Sequence, residues 1–257
     1  GEWPNPSWTE WLQWTASPPG VADLDLDGDN EVIGVPNVEL HDPYETQAYA
    51  VMVLEGAQGD GGRSARRLAG WEVLPRGDAP IQVEGWYPPG GVPAPVVANI
   101  QGDERPEIVV SLNDGFVYVF TADGALLWRS NYQHTLPIMY ASEPTIADLN
   151  QDGSPEVVLT TYGDPDVSTS GNLVVLAANG ERLHDVSLPD PGHNGNGNGA
   201  PAAPAVYDLD GDGQLEIFVQ TFDHGMDVFT VPGSAANCAL WATARGGPRR
   251  TGQAHID

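Results

Sequence analysis

A nine-residue polar loop occurs four times in the sequence, each time between two short apolar runs. The copies begin at residues 23, 99, 148 and 208, so their starts are 76, 49 and 60 residues apart. The clearest copy reads Asp208-Leu209-Asp210-Gly211-Asp212-Gly213-Gln214-Leu215-Glu216, with acidic residues at positions 1, 3, 5 and 9 and glycine at position 6. A repeat at this spacing indicates an architecture in which each copy marks one supersecondary unit.

Short β-branched runs follow the loops and predict buried strands. They are Val32-Ile33-Gly34-Val35, Ile108-Val109-Val110, Val157-Val158-Leu159 and Ile217-Phe218-Val219. A second apolar run, a turn such as Ala122-Asp123-Gly124 and a third, more mixed run come next. Together with the strand that enters each loop, these runs give units of four antiparallel strands. The sequence therefore predicts an all-β chain and a β-propeller with four motif-bearing blades, alone or as part of a larger propeller. A β-sandwich is the alternative, but sandwiches do not repeat their sequence at this period.

Oxygen-bearing side chains at alternate positions of a tight loop can converge on one point. Ca²⁺ takes about six to eight oxygen ligands, and the glycine at position 6 permits the positive φ that turns the chain back. The residue at position 7 is expected to add a carbonyl ligand. The predicted Ca²⁺ ligands of three loops are Asp23, Asp25, Asp27, Asp29 and Glu31; Asp148, Asn150, Asp152, Ser154 and Glu156; and Asp208, Asp210, Asp212, Gln214 and Glu216.

The loop that begins at residue 99 is a weaker, fourth candidate. Its positions 1 and 3 are neutral amides and its position 6 is Glu104 instead of glycine. The corresponding ligands are Asn99, Gln101, Asp103, Arg105 and Glu107. An ordinary polar turn is the alternative for this loop, because Asp, Asn and Gly are common in turns. The loops contain neither cysteine nor histidine, which makes zinc and copper poor candidates.

The charge balance restricts the partners. The chain has 36 acidic and 10 basic residues and a net charge of −26, so it repels nucleic acid and anionic lipid. Its sequence has no apolar run of about 18 residues, so direct membrane insertion is not expected. Residue 1 is Gly1 and not methionine, which leads us to expect that a signal peptide has been removed. The predicted location is extracellular or at the cell surface, with the periplasm as an alternative.

On these loops, the chain resembles the FG-GAP/VCBS repeats of integrin α-subunit propellers and of many bacterial secreted proteins. The match covers roughly residues 18 to 230 in four copies, and the Phe-Gly/Gly-Ala-Pro signature of the integrin versions is not present as such: the sequence has Gly199-Ala200-Pro201 but no Phe-Gly. The resemblance implies a calcium loop between two strands of each blade. It also implies an adhesion, binding or assembly role towards a protein or carbohydrate at the cell surface, either alone or as a subunit of a larger assembly.

Two regions of the chain are predicted. Residues 1–17 form a Trp-rich segment that contains Trp3, Trp8, Trp11 and Trp14, and residues 18–257 form the propeller. The end of the chain, from Leu240-Trp241 to Arg250-Thr251-Gly252, resembles the Trp-x-x-x-Arg-Gly-x-x-x-Arg-Thr-Gly element of bacterial propellers. We expect it to pack against the end blade. The Trp-rich segment is expected to pack near it or to dock on another subunit.

The sequence contains none of the common catalytic motifs: no His-Glu-x-x-His, no Gly-x-Ser-x-Gly, no P-loop and no dinucleotide fingerprint. A non-catalytic module that binds a protein or a glycan is therefore the favoured function. The alternative is a polysaccharide-lyase-like enzyme or the propeller portion of one, because related calcium-loop propellers occur in rhamnogalacturonan lyases.

Overall fold

The chain folds into β-strands. The computed structural model describes residues 12–13, 17–35, 37–38, 51–56, 66–72, 93–133, 139–163, 171–189, 198–222 and 224–246. Within these ranges there are nineteen strands, one 3-10 turn (Ala244–Gly246) and no α-helix, and no helix there is long and apolar enough to cross a membrane. The all-β prediction is confirmed. The four tryptophans of the N-terminal segment lie outside the described residues, so the prediction for that segment stays a prediction.

All strand pairs are antiparallel, and most strands belong to four sheets. Sheet 1 contains β2 (Gly20–Ala22), β3 (Glu31–Gly34) and β5 (Met52–Leu54). Sheet 2 contains β6 (Val96–Ala98), β7 (Glu107–Ser111), β8 (Phe116–Phe120) and β9 (Leu126–Asn131). Sheet 3 contains β11 (Thr145–Ala147), β12 (Glu156–Gly163), β13 (Asn172–Leu176), β14 (Arg182–Ser187) and, beside β11, β19 (Ala239–Trp241). Sheet 4 contains β16 (Ala205–Tyr207), β17 (Leu215–Gln220) and β18 (Met226–Val231).

The remaining strands are short. The end of β12 also pairs with β10 (Met139–Ala141) and β15 (Asn198–Gly199), and β1 (Leu12–Gln13) pairs with β4 (Asn37–Val38).

Each acidic loop connects the first two strands of a sheet. These strand pairs are β2–β3, β6–β7, β11–β12 and β16–β17. The last residue of the entering strand pairs with the glutamate at position 9, as in Ala98↔Glu107 and Ala147↔Glu156. The sheet register therefore places this glutamate at the mouth of the loop in every unit.

Successive sheets stack face to face through their alternating side chains. We call the face of a sheet towards the preceding sheet its rear face, and the face towards the following sheet its front face. The rear-face residues of sheet 3 share one hydrophobic core with sheets 1 and 2, and they are Val157, Leu159, Val174 and Leu176. Its front-face residues share a second core with sheet 4, and they are Val158, Leu173 and Val175. Burial of both faces explains why β12 and β13 are buried along almost their whole length and contain the continuous apolar runs 157–159 and 173–176.

A tryptophan links neighbouring sheets at two junctions. The Trp71 indole N–H donates to the carbonyl of Ala122, and the Trp128 indole N–H donates to that of Ala178, both at 2.7 Å. Both acceptors lie in the turn that follows the third strand of the next sheet. The glycine two residues further on, as at Gly180, leaves room for the indole ring: a Cβ there would lie 2.7 Å from Trp128 Cε3.

The C-terminal strand does not lie where the sequence predicts it. β19 pairs with β11 of sheet 3 through Ile146↔Trp241, and it contacts β6 of sheet 2. The expectation that this element packs against the last sheet is therefore wrong in its main contact, although Val206 N–H of sheet 4 donates to Ala242 O. The Trp241 indole and the Arg245 N–H both donate to Glu143 Oε1. These bonds to a residue just before β11 fix the element beside sheet 3.

Replacing Gly180 by alanine should destabilise the chain more than replacing Gly233. Both glycines have φ near +84°, so each alanine carries a backbone strain of about 1–2 kcal/mol. Only Gly180 also forces a clash with the Trp128 ring, because a Cβ at Gly233 meets nothing within 4 Å. Overpacking of this kind costs about 1–3 kcal/mol more. Thermal unfolding should show a melting temperature several degrees lower for G180A than for G233A; equal values would mean that the indole contact does not stabilise the junction.

Candidate metal centre

The glutamate at position 9 closes every loop. One of its carboxylate oxygens accepts the backbone N–H of position 2 at 2.7–2.8 Å in all four copies. The four side chains are only 1–4% exposed, and they are Glu31, Glu107, Glu156 and Glu216. A buried carboxylate needs such a donor to offset the loss of water. The contact therefore fixes the loop against the start of the second strand.

The side chain at position 1 organises the turn from inside. Asp23 accepts the backbone N–H of Asp27 at 3.1 Å and that of Gly28 at 3.0 Å, and Asp148 does the same with residues 152 and 153. Asp208 accepts Gly211 and Gly213 in the fourth loop, at 2.8 and 3.0 Å. In each loop, these hydrogen bonds turn the backbone N–H groups towards the carboxylate of position 1, at the centre of the loop.

Positions 5 and 7 complete the turn. The position-5 aspartates Asp27, Asp152 and Asp212 accept the N–H of position 7 at 2.8–2.9 Å. The structure thus shows what the backbone N–H of position 7 contacts. That the carbonyl group of position 7 binds a metal ion stays a prediction.

Three of the four loops have positive φ at two positions, and sequence reasoning identified only one of these positions. Position 6 has φ of 95° at Gly28, as expected from its glycine. Position 4 also has positive φ: 63° at Leu26, 76° at Gly102, 60° at Gln151 and 80° at Gly211. The signal was present in the two glycines, but leucine and glutamine at the same position concealed it. Left-handed backbone at a leucine is strained, which indicates that the loop geometry imposes it.

Two loops bring three carboxylates together. One oxygen each of Asp23, Asp25 and Asp27 lie within 4.8 Å of one another, and so do those of Asp208, Asp210 and Glu216. Like charges about 4 Å apart near a protein surface repel by several kcal/mol at an effective dielectric constant of about 20. Oxygen donors at this density are the ligands that a hard cation prefers. The donor sets of loops 1 and 4 therefore fit Ca²⁺.

In the third loop an amide stands between the acids. Asn150 Nδ2 donates to Asp152 Oδ2 at 3.0 Å and to Glu156 Oε1 at 3.1 Å, while its Oδ1 accepts the Asp152 N–H at 2.8 Å. The carboxylates of Asp148, Asp152 and Glu156 thus repel less than those of the other two loops. The backbone follows the same course, but among the described residues Asp148, Asp152 and Glu156 do not form a group of three carboxylates as close as those of loops 1 and 4.

The second loop satisfies its own polar groups. Asn99 Nδ2 donates to the carbonyl of Asp103, and Gln101 Nε2 donates to Glu107 Oε1 at 2.9 Å. Gly102 N–H in turn donates to Asn99 Oδ1 at 2.7 Å. Amide nitrogens occupy the positions where loops 1 and 4 have carboxylate oxygens. This arrangement favours a turn that forms without a cation.

Neighbouring loops are connected. The Arg105 side chain, at position 7 of the second loop, donates from Nε to the carbonyl of Leu24 in the first loop at 3.0 Å. Gln151 of the third loop donates to the carbonyl of Gly233, whose N–H donates to Gln214 of the fourth loop at 3.2 Å. Arg105, named from the sequence as a candidate ligand, thus directs its charged group to the first loop.

The pKa values of two position-9 glutamates are raised. Burial is the main cause of the raised pKa of Glu31 and of Glu156, and the aspartates of each loop raise these pKa values further. The backbone N–H of position 2 acts in the opposite direction. A cation in the loop would favour the ionised carboxylate and so oppose the burial effect.

Without a divalent cation, the contribution of Glu156 to stability should fall as the pH rises above about 4.5. Because the pKa of Glu156 in the folded state is raised above 4.5, the folded state binds more protons than the unfolded chain between 4.5 and the raised value. Unfolding is therefore increasingly favoured over that interval. Glu156→Gln cannot titrate and serves as the comparison. In EDTA, the melting temperature of E156Q relative to wild type should rise as the pH increases above about 4.5; a constant difference would show that this carboxyl group does not contribute.

No protein-family model matches the chain, and no curated protein matches it. Among solved structures, it is similar to the V. cholerae biofilm matrix protein Bap1, with 15% identity and a TM-score of 0.42, over 90% of this chain and 41% of that one. It is also similar to BBS1N, solved in complex with ARL6DN, with 11% identity and a TM-score of 0.32, over 91% of this chain and 69% of that one. The chain thus spans less than half the length of Bap1, and neither similarity identifies a family or a function for it.

Proposed function

We propose that the chain is a calcium-binding β-propeller module of the FG-GAP/VCBS type that acts outside the cell by binding a protein or a glycan and has no catalytic activity of its own. The observation that carries the proposal is the convergence of three carboxylates in each of two repeated loops. The proposed ions would be held by the predicted side chains of loops 1, 3 and 4. Each ion would neutralise the carboxylates and hold the two strands of its sheet together.

The surroundings of the loop carboxylates favour neutralisation by a cation over neutralisation by arginine or histidine side chains. Two ion pairs between described residues, Arg182–Asp185 and His224–Asp227, lie outside the loops. Asp208, Asp210 and Glu216 form no ion pair with arginine or histidine among the described residues. Acids gathered to this extent destabilise a fold unless something neutralises them, and a soluble divalent cation does so.

Contacts between the first strands of the four sheets support a propeller arrangement. The first strands of the sheets contact one another in order: β2 contacts β6, and β11 contacts β16. β19 lies between β6 and β11. A propeller arranges several small sheets around a central channel, and contacts of this kind between successive first strands support such an arrangement. We propose that sheets 1 to 4 are four blades of a propeller.

Calcium should stabilise the chain, and three ions should bind. A ligand at a hundred times its Kd adds about 2.7 kcal/mol per site to the free energy of unfolding. Isothermal titration of protein stripped with EDTA should return three Ca²⁺ per chain, and the melting temperature should rise by well over about 5 °C on adding Ca²⁺. Binding of fewer than two ions, or the same melting curve in EDTA and in Ca²⁺, would contradict the proposal.

Asp210→Asn should remove one ion while leaving the loop otherwise intact. The asparagine Oδ1 can still accept the Asp212 N–H, which Asp210 accepts at 3.0 Å, but one carboxylate of the trio is lost. The matched control is Asp123→Asn, at an exposed turn where the carboxylate accepts the Thr121 hydroxyl at 2.6 Å. D210N should bind two ions and D123N three.

Release of unsaturated uronate products from a uronate-rich polysaccharide by the wild type would contradict the non-catalytic role.

A further inference from the structure

In the described part of the chain, the stack of sheets has two open faces. The front face of sheet 4 exposes Val228 by 48% and Met226 by 64%. In sheet 3, the third-strand residues that face forward are Val175 and Leu173, and they are 4% and 3% exposed. The same positions are thus buried where a following sheet exists and exposed where none does.

The rear face of sheet 1 is open in the same way. Val32, the first residue after the loop glutamate, is 39% exposed. Its equivalents in the next three sheets are Ile108, Val157 and Ile217, and they are 0–4% exposed. Because Val32 and Val228 are both exposed, sheets 1 and 4 do not cover each other in the described part of the chain.

These two faces are the two halves of one junction. Every internal junction joins the front face of one sheet to the rear face of the next. The free front face of sheet 4 and the free rear face of sheet 1 are the halves that remain. We propose that a second copy of this chain covers them, with sheet 4 of one copy stacking on sheet 1 of the next. The inference depends on how the sheets stack and not on whether the loops bind calcium.

The chemistry of the two faces permits this contact despite the net charge of −26. The front face of sheet 4 presents Phe218, Val228 and Met226, and the rear face of sheet 1 presents Val32 and Leu54. All of these side chains are uncharged, whereas the acidic loops lie at the ends of the strands. At about 0.15 M salt the Debye length is about 8 Å, so only loop charges farther apart than this are largely screened, and association should strengthen as the salt concentration rises.

The proposed contact is heterologous, because different faces of the two copies meet. Such contacts build rings when the rotation closes and open filaments when it does not. Head-to-tail geometry also makes a specific prediction that a two-fold symmetric dimer does not share. A chain with a damaged front face and a chain with a damaged rear face should still form one good junction with each other.

Sedimentation velocity of the whole chain in calcium and about 0.15 M salt tests the inference. The average mass of the wild type should rise with protein concentration. Val228→Asp and Val32→Asp should each weaken association by at least about tenfold, because an unpaired carboxylate would be buried. The matched control is Val186→Asp: Val186 is a strand valine of similar exposure, 40%, on β14, and its substitution should leave association unchanged. Circular dichroism of each variant serves as the control that it is folded.

An equimolar mixture of V228D and V32D should form dimers and nothing larger, since one intact junction is left. A wild type that remains monomeric throughout would overturn the inference, and so would a V186D variant that is as defective as V228D. Absence of dimers in the mixture would show that the contact is not head-to-tail. A monomeric wild type that still bound calcium would leave the proposed function intact and reject only the self-association.

Discussion

The hydrogen bond between the glutamate at position 9 and the backbone N–H of position 2 is the contact on which the repeated unit depends. It occurs in all four loops, including the one that has amides at positions 1 and 3. The bond joins the start of the loop to the start of the second strand, so the strand pair and the loop form together. Its independence from the other loop residues explains why the second unit keeps its shape although its positions 1 and 3 are amides.

Most of the local structure could be predicted from the sequence. Loops and flanking strands depend on residues near in sequence: Asp208 and Gly213 are close along the chain, and Val157 follows its glutamate directly. Alternation within the strands reports which faces are buried. For the same reason the sequence indicated that Asn99 and Gln101 weaken the second loop, and the structure gives the reason, which is that their amide nitrogens bond within the loop.

The parts that could not be predicted depend on contacts between distant residues. Ile146 pairs with Trp241, and nothing in the local sequence of either strand specifies the other. The donation from Trp128 to the carbonyl of Ala178 is also invisible locally, because a tryptophan in a strand usually indicates only a core position. Position 4 of the loops was missed for another reason. Leu26 adopts positive φ against its own preference, since the hydrogen bonds around it determine the backbone.

The position of β19 determines the edge of sheet 4. In sheets 2 and 3 the chain forms a fourth strand after the turn that follows the third, and β9 and β14 are those strands. After β18 it instead crosses to β11, where Trp241 becomes fully buried and Glu143 accepts its indole N–H. One segment cannot occupy both places, so in the described part of the chain sheet 4 has three strands and β18 as its edge. An edge strand offers backbone groups for pairing with another strand, so burying Trp241 between sheets 2 and 3 leaves β18 without the fourth strand that sheets 2 and 3 have.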